Sequence, residues 1–538
     1  MKRFSLIFSL LCCLFFLHIG TRPLANPDEG RYASMGLEML QTGDWIVPRL
    51  NGLIYFEKPP LGYWSIALGQ WIFGSNFWGA RFFNALFSLL TCGVLYGFCK
   101  RFLSTKVGLW AALIYGTAAL PVGMSQVLTL DNALTFFLTT TLLLFASGFL
   151  EKDKRISKIF FFLAYTFMAF TILTKGLIGI VLPGIIGLPW LIYTGYIKQL
   201  SRAHLVKGLL WMVVVAAPWH YLVQQRYNCF FNFYFWHEHF ERYFTSVHGR
   251  SKPFYFLINA FLLGTIPWLF FLPRSICTAV QKGNSVLENR VIFFSIWWSV
   301  SLVLFFVCSD SQLIPYILPV ISGISITLAY GLSKIDLNKT KWECSLWALG
   351  YFSLGLALPF ILEKKAIVPL SYTSILSIRA VLVINTVIAI IFVVKKTVKK
   401  AFVTLLCTTI LIYLILPFYL PNFTRLNAYN VCKYLKARES KSVDVFCIYD
   451  YFNDIPFYLK QNIGVVECCP DEHTLGLRVE PSERYISMHL FKERWQQTKP
   501  CYAVVKRGQE AKFEQDMNAS RYFQLMQDHF FTLYSNEL

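Results

Sequence analysis

The chain has 538 residues, 56% hydrophobic and 15% charged, with a mean hydropathy of +0.49 and a net charge of +20. A soluble core of this size needs no such composition, whereas repeated apolar runs of about 17–20 residues read as membrane spans. The positive charge does not point to nucleic acid, because the basic residues sit in short loops between those runs, as the positive-inside rule requires.

Thirteen spans are expected, near 4–20, 82–99, 107–123, 133–150, 158–173, 177–195, 207–222, 255–272, 290–307, 313–331, 344–362, 377–394 and 401–420. Lys2 and Arg3 precede the first, as in a signal peptide. No small-x-small cleavage site follows, so an uncleaved anchor is expected. The 50 Phe, 28 Tyr and 15 Trp suit lipid-facing surfaces and interfacial belts. With the N-terminus in the cytoplasm, "KRFLSTK", "EKDKRISK", "KQLSRAHLVK", "KIDLNKTK" and "KKTVKK" lie inside. About 22 Lys and Arg then fall inside, against about 13 outside before residue 420. This orientation puts the 21–80 loop, Asp131, Lys175, the 223–254 loop, "CSDSQLIPY" and the C-terminus on one external face.

The first external loop carries the stretch "NPDEGRYASMGLEMLQTGDWIVPRLNGLIYFEKPPLGYW", residues 26–64. Its "MGLEML" and "LGYWSIALGQWIF" segments read as amphipathic helices along the bilayer surface. Asp28, Glu29, Arg31 and Lys58 then share a face with Asp131, at the head of the fourth span. A lone acidic pair is ordinarily solvated loop charge, but ionisable groups gathered at helix mouths in a polytopic protein are candidates for function. Lys175 reads equally as a lysine snorkelling from a span end, and His237 and His239 as interfacial histidines.

The external face has no supply of nucleotide-activated sugars, so chemistry there needs a donor carried across, most simply a polyprenyl phosphate sugar. Lys58, Lys175 and Arg242 are the cations available to its phosphate. Fixed cations stabilise charge that builds on the departing phosphate. A carboxylate opposite them takes a proton from a hydroxyl acceptor or steadies positive charge on the sugar. The rival reading, a transporter or flippase of lipid-linked sugars, calls for broken helices and ionisable groups near mid-membrane. Almost no charge lies deep in the expected spans, which favours the transferase.

Beyond Leu420 the chain turns polar. "KSVDVFCIYDYFNDIPFYLKQNIGVVE" reads as strand, short helix, strand, and "PCYAVVKRG" as a further strand, giving a small α/β external domain over 421–538 after a membrane domain over 1–420. The tail holds Cys432, Cys447, Cys468, Cys469 and Cys501, enough for one or two disulfides in an oxidising compartment. No cysteine spacing suggests a metal site.

Taken in order, "NPDEGRYA", "FEKPPLGYW", "GARFFNALFS", "LTLDNALTFFLT", "LTKGLIG", "FYFWHEHFERYF", "HGRSKPFYF" and "SQLIPYILP" resemble the bacterial aminoarabinose transferases. These are membrane glycosyltransferases of the GT-C class, related to the protein O-mannosyltransferases. The resemblance covers nearly the whole chain. It implies a polytopic α-helical membrane protein of GT-C type, with about 13 transmembrane helices and a small C-terminal α/β external domain. The implied activity, in the inner membrane, is transfer of 4-amino-4-deoxy-L-arabinose or a related sugar from a polyprenyl phosphate donor to lipid A. The alternative is a protein or glycan acceptor.

Residue by residue, the resemblance implies that Asp28 is the main catalytic carboxylate and Asp131 a second one. Lys58 and Arg242 correspond to the cations that hold the lipid phosphate, and Tyr316 lies near the same group. On the reading of the loop charges alone, and not on the resemblance, Glu29, Arg31 and Lys175 join them as candidate substrate-binding residues. Glu57 and His237 fall where the family places a divalent metal cation. One departure stands out: Gln312 occupies the position where the family carries a lysine before "PY", which bears on the acceptor or the donor sugar more than on the fold.

Overall fold

The computed structural model describes residues 2–241, 252–281, 284–365, 372–415, 426–438, 443–497, 499–518 and 520–537. In chain order it begins with α1 (Lys2–Phe16), α2 (Asp28–Thr42), the hairpin β1 (Arg49–Leu50) and β2 (Leu53–Ile54), and α3 (Leu61–Phe73). Then come α4 (Phe77–Phe102), α5 (Thr105–Thr117), α6 (Ala119–Ser125), α7 (Asp131–Leu150), α8 (Lys154–Lys175), α9 (Ile178–Thr194) and α10 (Leu205–Arg226). Further helices continue to Ile415, and strands β3 (Asp444–Ile448), β4 (Gly464–Val466), β5 (Tyr485–Ile486), β6 (Cys501–Lys506), β7 (Phe523–Gln527) and β8 (Phe531–Ser535) fill the tail.

Each expected span falls on a helix or a bent helix pair. Among the described residues, seven helices are long and apolar enough to cross a membrane, or nine if each of two bent pairs is one span; three shorter apolar helices accompany them. The protein is thus a multi-span membrane protein. The third expected span is broken: α5 and α6 meet at 62° about Ala118. Carbonyls left open where helices end need partners in an apolar surround, here at the ends of α6 and α1. Asn84 donates to the carbonyls of Met124 and Val127, Asn132 to that of Met124, and Gln126 to those of Leu14 and Phe15. The eighth span is bent by 96° between Gly264 and Trp268, beside Pro267.

Two compact units emerge. One comprises residues 1–19 and 83–419, the other 20–82 and 420–538. Residues 20–82, which the sequence reading groups with the spans, pack instead with the tail.

Within that second unit lies a six-stranded sheet of order β5-β4-β3-β6-β8-β7. Strands β5, β4, β3 and β6 run parallel, and β8 and β7 are added antiparallel. The central strands "DVFCI" and "CYAVV" are apolar almost throughout, the pattern of a sheet covered on both faces. Phe446, Phe491, Trp495, Phe513 and Tyr534 pack one face as a core. The expected strand, helix, strand order over 444–466 and the strand in "CYAVVK" are all present. All fourteen cysteines are free thiols, those of the tail included, where an oxidising compartment would allow one or two disulfides. Cys432, Cys447 and Cys501 are buried and take the place of small apolar residues.

The loop half of the unit is held to this sheet by short polar links. Asn51 and Gly52 both have positive φ, the requirement of a two-residue hairpin turn, and Asn-Gly is the favoured pair for it. The Asn51 side chain donates to the Ile463 carbonyl at 3.0 Å and accepts from the Ile463 amide at 2.8 Å, as an added strand residue would. Arg49 pairs with Glu480 at 2.7 Å. Helix α3 buries Tyr63, Ile66 and Ala67 and exposes Leu68, Trp71 and Ile72, which fits a helix lying at a bilayer surface. Helix α2 does not match that expectation: Met35, Leu37 and Met39 are all buried within the protein.

Candidate active site

The start of α2 presents the candidate carboxylate. Asp28 and Glu29 occupy its first turn, where the helix dipole favours negative charge, and Gly43 ends the helix in the left-handed conformation. The two acids have opposite settings. Asp28 keeps 54% of its side chain exposed, with the Arg31 guanidinium 4.0 Å away. Glu29 is 1% exposed and clamped by two guanidinium forks. Arg22 donates to its two oxygens at 2.5 and 2.9 Å, Arg81 at 2.8 and 3.0 Å, and the Ala25 amide adds a further bond. Burial pushes this carboxyl up, but Arg81 and Arg22 outweigh it and hold it down at about 2. Glu29, which the sequence reading counts with the substrate-binding residues, is thus enclosed by Arg22, Arg81 and the Ala25 amide.

Arg31 is also enclosed. It lies 2.7 Å from Glu472 of the tail helix Asp471–Val479, and it donates to the Tyr55 hydroxyl at 3.4 Å. Burial pushes the Glu472 carboxyl up against the pull of Arg31, and the charges of Glu57 and Asp28 push the same way. Three carboxylates, Asp28, Glu57 and Glu472, thus share the neighbourhood of one buried guanidinium. Lys58 donates to the Glu57 carbonyl at 2.6 Å and is partly exposed, on the "EKPP" corner that leads into α3. The structure therefore brings Asp28, Arg31, Glu57 and Lys58 together on one compact unit, with Glu472 as a member that the sequence reading missed.

Just before α2, the chain is fixed by a second tail residue that the sequence reading missed. Asn26 donates its side-chain amide to Asp454 and accepts from the Asp454 backbone N–H at 3.2 Å. The other Asp454 oxygen accepts from the Ala428 amide at 2.7 Å. Asp454 is fully buried, and burial pushes its carboxyl up to about 7 against these hydrogen bonds.

The membrane unit holds the second expected group. Asp131 opens α7 and Lys175 closes α8, so the acid sits at a helix N-terminus and the base at a C-terminus, each favoured by its dipole. Lys175 Nζ lies 2.5 Å from Asp131 and 4.8 Å from the centre of the Tyr316 ring. Asp131, Lys175 and Tyr316 are thus one cluster. Gln312, at the position of the family's lysine, is buried and donates to the carbonyls of Val307 and Ser309, capping the preceding helix. His237 is paired with Glu241 at 2.6 Å within the π-helix Asn232–Glu241. Arg242 lies outside the described residues. Among the described residues, no three His, Cys, Asp or Glu side chains gather into a metal-binding group. Glu57 and His237 alone fall short of the three or four protein ligands usual for zinc.

Residues 57–221 match the family described as dolichyl-phosphate-mannose-protein mannosyltransferase, and residues 431–528 match the aminoarabinose transferase C-terminal domain. The chain is 31% identical over 339 residues to the undecaprenyl phosphate-alpha-4-amino-4-deoxy-L-arabinose arabinosyl transferase of Erwinia tasmaniensis, covering 62% of this chain and 60% of that protein. It is 32% identical over 363 residues to the same-named protein of Aeromonas salmonicida, covering 66% and 65%. The crystal structure of ArnT from Cupriavidus metallidurans bound to undecaprenyl phosphate superposes with a TM-score of 0.87 at 24% identity, over 99% of this chain and 98% of that one. The archaeal oligosaccharyltransferase AglB from Archaeoglobus fulgidus gives a TM-score of 0.52 at 12% identity, over 96% and 70%.

Proposed function

The chain is a relative of the aminoarabinose arabinosyl transferases with the GT-C fold, and on that premise we propose that it transfers a sugar from undecaprenyl phosphate to an acceptor at the external membrane surface. The sugar is 4-amino-4-deoxy-L-arabinose or a close analogue, and the acceptor is lipid A. The membrane is the inner membrane, with the N-terminus in the cytoplasm and the tail in the periplasm. One observation carries the reading: in a chain related to these transferases, Asp28 is an exposed acid in a helical turn whose neighbouring residues are locked in place.

In the reaction, the bond between the sugar's anomeric carbon and the phosphate oxygen breaks as an acceptor oxygen attacks from the opposite side. Configuration therefore inverts in a single displacement. Lys58 meets the charge that builds on the departing undecaprenyl phosphate, the role that the resemblance also implies for Arg242. If the attacking group is a lipid A phosphate, it is already an oxyanion, and Asp28 acts by orientation and field. If it is a hydroxyl, Asp28 takes its proton. Asp131, Lys175 and Tyr316 form a second polar cluster, in which Asp131 is the second candidate catalytic carboxylate and Lys175 and Tyr316 are assigned to binding. No step is routed through a metal. Loss of transfer on chelation, restored by a divalent cation, is the result that would call for one.

The reading is tested with purified full-length protein, an undecaprenyl phosphate sugar and lipid A. Asp28→Asn and Lys58→Ala are each expected to lower turnover by about a hundredfold or more while membrane insertion is unchanged. Full turnover in either variant would remove that residue from the site. A flippase without transferase activity would instead move the donor across vesicles and leave lipid A unmodified.

A further inference from the structure

Asp28 is the open member of a turn that is otherwise locked, and most of the locks come from the tail. The Asn26 side chain is paired with Asp454 in both directions, through side chain and backbone. The Asn26 amide donates to the Leu426 carbonyl at 2.9 Å. Gly30 lies so close to the 453–454 backbone that a Cβ would fall 2.6 Å from the Asp454 nitrogen. Ser34 donates to the Asn453 carbonyl at 2.7 Å, and Arg31 is held by Glu472. These contacts fall on residues two before, two after, three after and six after Asp28. Three of them, those of Asn26, Gly30 and Ser34, pass through the short stretch Asn453–Asp454.

A buried carboxylate is costly unless it is paired or fully hydrogen-bonded. Asp454 is fully buried and has no cation among its hydrogen-bond partners, which are the Asn26 amide and the Ala428 N–H. A fold that needs only packing at this point would do better with an apolar residue. Its geometry is specific: two acceptor oxygens meet two donors, and the backbone N–H of the same residue returns a bond to Asn26.

We infer that Asp454 is a positioning residue for the transfer reaction, holding Asn26 and through it the first turn of α2 so that Asp28 meets its substrate at a fixed place. The inference rests on the reading of Asp28 as the reacting carboxylate. It gives the tail a part in catalysis without placing any tail residue against the sugar.

The pairing supplies its own test. In Asp454→Asn, an NH2 group faces the Asn26 NH2 or the Ala428 N–H, so two donors oppose. In Asn26→Asp, two carboxylates oppose. In the double variant Asn26→Asp with Asp454→Asn, every hydrogen bond is regained with the roles exchanged. Full-length protein in detergent is assayed for donor KM and kcat, together with amide hydrogen exchange across residues 28–34. Each single variant is expected to lose about ten- to a hundredfold in kcat with little change in donor KM, the signature of a misplaced group rather than of lost binding. Exchange at 28–34 rises while β3 and β6 keep their protection, and the double variant recovers kcat and protection together. Native kcat and native exchange in Asp454→Asn would overturn the inference, as would a double variant no better than the singles. If the native chain itself transfers nothing, the proposed reaction fails, and exchange at 28–34 still decides whether Asp454 holds the turn.

Discussion

Asp28 and Glu29 are chemically near-identical neighbours with different work to do, and burial separates them. Glu29 sits at the meeting point of two arginines, and removing one partner of a buried ion pair strands the rest. Glu29→Gln leaves Arg22 and Arg81 buried beside a neutral amide and is expected to cost about 3–5 kcal/mol. The check is the thermal melt of the full chain in micelles, and an unchanged melting temperature would contradict the account. The same residue sets a pH window. Its carboxyl is held at about 2, against an ordinary 4.5, so its contribution is complete above 4.5 and is lost as pH falls toward 2. His473, which burial lowers from 6.5 to about 3, adds stability that is lost as pH falls from 6.5 toward 3. Asp454 has the opposite sign: raised from 3.8 to about 7, it contributes most below 3.8 and loses that contribution as pH rises through 7. Stability is therefore expected to fall steeply below about pH 4, where the first two act together, and to change less between 4 and 6.5, where Asp454 offsets His473. In Glu29→Gln the acid limb of the melting-temperature profile becomes shallower. A profile as steep as the native one would show that Glu29 is not its source.

At the scale of elements, α2 is a helix whose sequence suits a surface and whose surroundings bury it. Its Met35, Leu37 and Met39 look like the apolar face of an interfacial helix, and the partners that cover them come from α3 and from a tail more than 400 residues further on. Hydropathy patterning reports that a face is apolar and is silent on whether lipid or protein covers it. Gly30 marks the contact. Gly30→Ala is expected to push α2 off the 453–454 backbone, because the clash is with main chain that has no rotamer to give way. Cysteines placed at 34 and 453 should cross-link in the native background and fail to do so with Gly30→Ala; equal cross-linking in both would show that the close approach is not tight. The spans, by contrast, were readable one by one, since each rests on a local apolar run. The role of Asn84, Asn132 and Gln126 was not, because these side chains, which satisfy carbonyls at the ends of α6 and α1, look like isolated polar residues until the helices are assembled.

At the scale of the molecule, the sequence announces a membrane part and a polar tail, and charge in the loops sets the expected orientation. Asp28, Lys58, Asp131 and Lys175 could be singled out because each stands at the mouth of an apolar run, where an ionisable group is costly without a purpose. Asp131 and Lys175 prove to be partners, which their separation of 44 residues does not reveal. The grouping of residues 20–82 with residues 420–538 was not legible. It depends on pairings such as Asn51 with Ile463, which are 412 residues apart and made by groups with no periodic signature. Glu472 and Asp454 were missed for the same reason: each looks like ordinary acid in a polar tail until α2 is laid against it. The account as a whole stands on transfer of an amino sugar to lipid A. The most direct measurement is mass spectrometry of lipid A from a host that lacks its own transferase and makes the undecaprenyl phosphate donor, carrying either the native chain or its Asp28→Asn form. The account predicts a pentosamine mass increment with the native chain and none with the variant. Unmodified lipid A in both, with the native chain present in the membrane, would contradict it.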